Sequence, residues 1–260
     1  MKFVKDDYQN FDVIKNEIDN GIVFYCINNG SVAEFQKNPN KYQKINEEDF
    51  LKLLNSINKK PIHFFLFSST YVYSEGENIT EDVFTIPQTS YGKSRLKQEN
   101  LLRTSGIDYT ILRLSNIFGY GNFYNIGNMG AIEKFIDFVF LDKKLPINGD
   151  GNQLVDYLNK NDLMNLLKIL LKNIPKNEIF NICTGNINSI LGAAKIIAKI
   201  GKEKFDKNVE INQFNENIKM PNSPIMSPSK IFKNFLWRPD SNMISEIEKM
   251  MKFRSLQHEW

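Results

Sequence analysis

Ile62-His63-Phe64-Phe65-Leu66-Phe67-Ser68-Ser69-Thr70-Tyr71-Val72-Tyr73 is the stretch that decides the fold. Its first half is apolar on both faces, as a central strand of a parallel sheet is when helices cover it on each side. The run then changes abruptly to hydroxyl-bearing side chains. Ser68, Ser69 and Thr70 therefore stand at the carboxyl end of the strand, where open α/β sheets form their ligand crevice.

Working outward, Ile22-Val23-Phe24-Tyr25-Cys26-Ile27 reads as another buried strand, closed by the turn signal Asn28-Asn29-Gly30. Between the two strands, Phe50, Leu51, Leu53, Leu54 and Ile57 fall at helical spacing within 46–57. Beyond the serine run come a helix over 91–104, the helix stop Ser105-Gly106 and a strand over 109–114. Further helices are predicted at 131–141, 162–172, 189–200 and 243–252, with a strand at 178–183. This alternation predicts an α/β fold, a doubly wound parallel sheet. The Pro- and Ser-rich segment 221–228 reads as an ordered connection or lid.

Composition bounds the function. The chain has 260 residues, 42% hydrophobic and 24% charged, enough to bury a real core. The net charge of +3 is scattered, which argues against a nucleic-acid binder. Cys26 and Cys183 are too few for a disulfide framework or a four-ligand zinc site, and their apolar surroundings predict buried thiols. With His63 and His258 the only histidines, a multi-histidine metal centre is excluded. No run reaches the ~18 apolar residues of a membrane span, and the start lacks a secretory pattern, so a cytoplasmic location is expected.

Twenty-two residues after Ser69, Tyr91-Gly92-Lys93-Ser94-Arg95 opens a helix. Tyr91 and Arg95, at i and i+4, share one face. A cation beside a phenol lowers its pKa from about 10, which makes a tyrosine a usable general acid or base.

Five motifs in order carry a resemblance. They are 68–73 (SSTYVY), 91–96 (YGKSRL), 111–121 (ILRLSNIFGYG), 148–157 (NGDGNQLVDY) and 179–182 (IFNI). Together they resemble the extended short-chain dehydrogenase/reductases, and more narrowly the NAD-dependent epimerase/dehydratase family of nucleotide-sugar enzymes. The resemblance covers about residues 20–250. It implies that Ser69 hydrogen-bonds the sugar oxygen being redoxed, with Thr70 beside it on the substrate, and that Tyr91 exchanges the proton. It also implies that Asn46, Tyr91 and Arg95 face NAD or NADP, and that Asn116 helps hold the nucleotide diphosphate. Thr70 and Tyr71 replace the Asp-Glu pair of the sugar 4,6-dehydratases, which favours epimerase or keto-reductase chemistry over elimination. The implied setting is surface polysaccharide precursor synthesis.

Three positions depart from the family pattern. The only glycines ahead of Ser69 are Gly21 and Gly30, so the Gly-rich turn that cradles a pyrophosphate at a helix N-terminus is absent. Gly119-Tyr120-Gly121 follows a strand but has Tyr124 where a third glycine is needed, and reads as a turn. Arg95 stands where the family has Lys, and a bulky guanidinium does not reproduce a compact ammonium bridging ribose and phenol. Val155 stands where many members hold the diphosphate with arginine.

The pattern is entered at the family's third strand, as if the first β-α-β-α units were missing. The expected domains are a partial dinucleotide-binding, Rossmann-like domain over 1–120 and a smaller substrate lobe over 121–260, interleaved, with the strand near 178–183 returning to the main sheet. Asp156 and Asp162 are read together as capping the helix from 162 and bracing a loop rather than as catalytic, and Phe64, Phe65, Phe135 and Phe140 as core. Lys59-Lys60 is read as a solvated helix end. An open, apolar sheet edge would invite a second copy or a partner subunit. Three functions are open at this point: an epimerase or keto-reductase, a non-catalytic relative or partner subunit, and a fragment of a longer epimerase. The expected ligand is a nucleotide-diphosphate sugar, and tight dinucleotide binding by this chain alone is not expected.

Overall fold

The computed structural model describes residues 18, 21–30, 32–57, 60–120, 130–215 and 222–256. Lys59, Gly121, Tyr124, Pro221 and His258 lie outside them. In chain order the elements are β1 (Ile22–Tyr25), α1 (Val32–Lys37), α2 (Pro39–Gln43), a π-helical turn (Lys44–Glu48) and α3 (Asp49–Ser56). Next come β2 (His63–Ser69), a 3-10 turn (Thr70–Val72), α4 (Ser90–Thr104), β3 (Tyr109–Leu114) and β4 (Asn116–Phe118). Then follow α5 (Ala131–Phe140), β5 (Leu145–Asn148), β6 (Leu154–Asn159), α6 (Lys160–Leu170) and β7 (Glu178–Ile182). The last are β8 (Ile187–Ser189), α7 (Ile190–Phe205), β9 (Ile211–Phe214), α8 (Ser229–Asn234) and α9 (Met243–Leu256).

The chain divides into two compact units, the first of residues 1–74, 81–114 and 174–180, the second of the remainder. In the first, the strands are ordered β1-β2-β3-β7, and β7 begins in this unit. β1 runs parallel to β2 and β2 parallel to β3, with Ser69 opposite Leu114 at the carboxyl end. β2 is buried along nearly its whole length, as its two-sided apolar sequence requires. On one side Phe50, Leu53 and Leu54 of α3 and Leu102 of α4 pack against Tyr25, Phe64, Leu66 and Ile111. β1 ends the sheet among the described residues, and Ile22 and Phe24 are 39% and 37% exposed.

The second unit holds β4-β6-β8, with β4 parallel and β8 antiparallel to β6, and the separate parallel pair β5-β9. Helices α5, α7 and α9 cover this region through Ile132, Phe135, Ile136, Val139, Ile197, Ile247 and Met250. Phe140 is only partly buried at the margin.

Four local expectations are corrected. The helix expected over 46–57 starts earlier, as a π-helical turn that leads into α3 at Asp49. Cys26 is exposed, because the edge strand stops at Tyr25 before reaching it; Cys183 is buried. The helix expected from 162 begins at Lys160, and its cap is the Asn159 side chain, which accepts from the Asn161 N–H at 2.8 Å. Asp162 thus lies inside the first turn. The helix expected over 189–200 continues to Phe205 and stops at Asp206, whose φ of 52° is the left-handed conformation that ends helices.

Candidate functional site

Ser69 ends β2 with an extended backbone, and its Oγ accepts from the Tyr71 N–H at 3.3 Å, starting the 3-10 turn. Helix α4 comes down on this turn. Thr89 caps it, accepting from Gly92 N–H at 3.0 Å. Gly92 is needed here: a Cβ would lie 2.0 Å from the Tyr71 carbonyl oxygen. The close approach brings the Tyr71 and Tyr91 rings edge to face, with centroids 5.9 Å apart, while Phe35 meets the other side of Tyr91 at 5.5 Å. The strand end with Ser69 and the helix start with Tyr91 are thus held together by backbone contact.

Arg95 does share the Tyr91 face, and its Nε donates to the phenol oxygen at 3.4 Å. The rest of the guanidinium turns inward. It is 5% exposed and donates through Nη1 to the Ile27 carbonyl at 3.3 Å and to Gln98 Oε1 at 2.9 Å. Gln98 in turn donates to the Asn46 carbonyl at 2.8 Å. Buried Asn46 donates to the Asn29 and Tyr42 carbonyls, both at 2.8 Å, and accepts from Asn29 N–H at 3.1 Å. Asn46, Tyr91 and Arg95 therefore form one network with Gln98, and its effect is to tie down the 27–30 loop that follows β1.

A second network lies deeper. Ser68 Oγ donates to Glu99 Oε1 at 2.5 Å, and Arg113 donates to both Glu99 oxygens, Nε at 3.1 Å and Nη2 at 2.7 Å. Arg113 Nη1 also donates to the Tyr73 hydroxyl at 2.6 Å. Burial works against the charge on Arg113, yet Glu99 and Tyr73 hold its pKa above the usual arginine value. This cluster locks β2, β3 and α4 beside the strand end. Sequence reasoning assigned no role to Gln98 or Glu99. The signal was present, since 91, 95, 98 and 99 follow the i, i+4, i+7, i+8 pattern of one helix face.

Thr70 is buried at the start of the 3-10 turn, in the same unit as Ser69. Asn116 belongs to the second unit, on β4 opposite Tyr157 of β6. Asp156 braces a loop: it accepts from Ser115 Oγ at 3.1 Å, Thr184 N–H at 3.0 Å and Gly185 N–H at 2.7 Å. Burial raises its pKa and those donors oppose the rise. Among the described residues no cluster of side chains could hold a metal ion, and no helix is long and apolar enough to cross a membrane.

The profile of the NAD dependent epimerase/dehydratase family matches residues 2–183. The chain belongs to this family. A UDP-glucose 4-epimerase of Lactobacillus helveticus is 29% identical over 194 residues, 65% of this chain and 59% of that protein. A trifunctional dehydratase, epimerase and reductase of Arabidopsis thaliana is 25% identical across the full chain, which covers 40% of its length. The matched region is thus about three-fifths or less of these two curated relatives. Among solved structures, a UDP-glucuronic acid 4-epimerase from Bacillus cereus, in complex with UDP-glucuronic acid and NAD, superposes with a TM-score of 0.85 at 22% identity, covering 98% of this chain and 82% of that one. That likeness establishes the α/β, Rossmann-like fold.

Proposed function

We propose that this family member is an epimerase- or keto-reductase-like protein that takes a nucleotide-diphosphate sugar but has an impaired NAD(P) site. The observation that carries the reading is the state of Arg95. A residue bridging cofactor ribose and phenol must present its charge to the ligand, whereas this guanidinium is spent on Ile27, Gln98 and the Tyr91 hydroxyl. The residues present do not fit a dinucleotide. The network that would have to open is buried, and the segment ahead of Ser69 offers only Gly21 and Gly30. No redox step is therefore assigned to these side chains. On this reading Ser69, Thr70 and Tyr91 contribute hydroxyls to sugar binding. Surface polysaccharide precursor synthesis is the proposed setting.

The relatives' names support the substrate class, since they act on UDP- and dTDP-sugars. The test is calorimetric titration of the full chain with UDP-glucose, UDP and dTDP, followed by a turnover assay with NAD and NADP present. Saturable binding of a nucleotide sugar without turnover is the expected result. Turnover would contradict the impaired site, and no binding of any nucleotide would contradict the substrate class. The exposed Ile22 and Phe24 on the edge strand favour a partner-subunit role alongside this one. Sizing at several concentrations tests that role, and a monomer throughout would remove it for self-association.

A further inference from the structure

The second unit contains a cleft of about 170 Å³ at the carboxyl end of β6, built entirely from that unit's residues. One water needs roughly 10–15 Å³, so the space suits a ligand on the order of ten non-hydrogen atoms. Its wall includes the rings of Phe118 and Tyr157, edge to face at 6.4 Å on adjacent strands. Asn159 and Asp162 lie deep, both buried. The rim comes from two segments, Thr184, Asn186 and Asn188 around β8, and Ser241, Asn242 and Met243 at the entry to α9.

The lining is chemically selective. Among the described residues, no Lys, Arg or His faces the cleft, and Asp162 is its single carboxylate. A phosphate or carboxylate ligand would meet that acidic group with no cation to offset it. A bare metal ion would find one carboxylate, already accepting from Asp240 N–H at 3.3 Å, in a space many times too large. What the cleft supplies is amides and hydroxyls. Asn159 uses one amide hydrogen on Glu246 at 3.4 Å and its oxygen on Asn161 N–H at 2.8 Å, leaving a second donor. The side-chain amides of Asn186 and Asn188 make no hydrogen bond among the described residues. Each therefore keeps a donor and an acceptor free, the pairing that vicinal hydroxyls satisfy. Apolar ring surface beside such groups suits the C–H face of a sugar ring.

We propose that this cleft binds an uncharged polyhydroxylated ligand the size of one pyranose ring, independently of the Ser69–Tyr91 cluster. The probes are free D-glucose, D-galactose and myo-inositol, titrated into the full chain without nucleotide and followed by amide-resonance shifts. At least one neutral probe saturates with a dissociation constant on the order of millimolar, with shifts at Tyr157, Asn159 and Asn188. Asn188→Leu, at a partly exposed rim position, weakens it at least about tenfold, while Tyr91→Phe leaves it unchanged. Glucose 6-phosphate and glucuronate bind at least about tenfold more weakly than glucose. Absence of saturation by all neutral probes at about 100 mM would overturn the proposal. So would equal binding of the anionic sugars, or loss of binding in Tyr91→Phe with none in Asn188→Leu. Because no nucleotide is used, failure here leaves the nucleotide-sugar reading standing, and the converse also holds.

Discussion

At the carboxyl half of α4, Glu99 receives Ser68 and Arg113 over 2.5–3.1 Å, with every partner buried. At the amino half, Arg95 reaches its acceptors over 2.9–3.4 Å, and the phenol it touches is only partly buried. One helix thus carries two polar clusters of different quality. The deep one is a closed set of short, charge-assisted bonds that fixes β2, β3 and α4. The outer one spends a cation on a backbone carbonyl and an amide, stabilising a loop where a ligand contact was expected. The deep cluster joins two strands to the helix, whereas the outer one joins the helix to the loop that follows β1.

This contrast breaks first at the deep cluster. Glu99→Ala leaves Arg113 charged and buried, and is expected to cost about 3–5 kcal/mol in chemical denaturation. Replacing the pair together, Glu99→Leu with Arg113→Met, is expected to cost much less, because no charge is left uncompensated. A cost for Glu99→Ala no larger than for a surface substitution would show that the cluster does not lock the frame.

Gly92→Ala tests the junction between the two clusters. The added Cβ meets the Tyr71 carbonyl, so α4 must move off the turn at a cost of about 2–3 kcal/mol. Thermal melting reads the loss, and an unchanged melting temperature would mean that the helix start is not pinned to the strand end.

For the outer cluster, Asn46→Ala removes the donor to the Asn29 carbonyl of the loop and to the Tyr42 carbonyl of α2, and is expected to cost about 1–3 kcal/mol. Hydrogen exchange at residues 27–30 should quicken, while exchange in β2 and β3 stays slow. Equal quickening in both places would merge the two clusters into one cooperative unit.

The smallest effect concerns His63, buried on β2 with Nε2 2.8 Å from Thr110 Oγ1, whose hydroxyl donates to the Pro175 carbonyl. Burial lowers its pKa to about 4, with Asp108 opposing and Lys176 adding to the fall. The unfolded chain, with a pKa near 6.5, then binds more protons than the folded one between these values. Stability from neutral His63 is complete above about pH 6.5 and is lost as pH falls towards 4. About 1–2 kcal/mol should disappear between pH 7 and pH 5, and His63→Phe should remove that part of the slope. A slope unchanged in the variant would place the pH dependence elsewhere.

Much of this architecture is legible in residue order. The two-sided apolar run at 62–67 announces a central strand, and Ser105-Gly106 announces the end of α4, because both signals are local. The shared face of Tyr91 and Arg95 follows from helix geometry alone. Which way Arg95 points does not follow, because its acceptors Ile27 and Gln98 belong to a loop and a helix position that only tertiary packing brings within reach. Cys26 fails for a similar reason: a strand-like neighbourhood predicts burial, whereas the strand stops at Tyr25, one residue short of it. The acidic residues do not reveal the cap of α6: Asp162 lies inside its first turn, and Asn159 holds the capping geometry. The cleft beside β6 was invisible in sequence, being assembled from segments far apart in the chain.

The central claim, that Arg95 belongs to the frame and that the dinucleotide site is thereby impaired, is tested most directly by calorimetric titration of the full chain with NAD+, NADH, NADP+ and NADPH, with Arg95→Lys alongside. The unmodified chain is expected to show no micromolar affinity, which would require about 8 kcal/mol of binding free energy. Arg95→Lys is expected not to restore it, since the Gly-rich turn is still wanting. Micromolar binding of any dinucleotide by the unmodified chain would contradict the account.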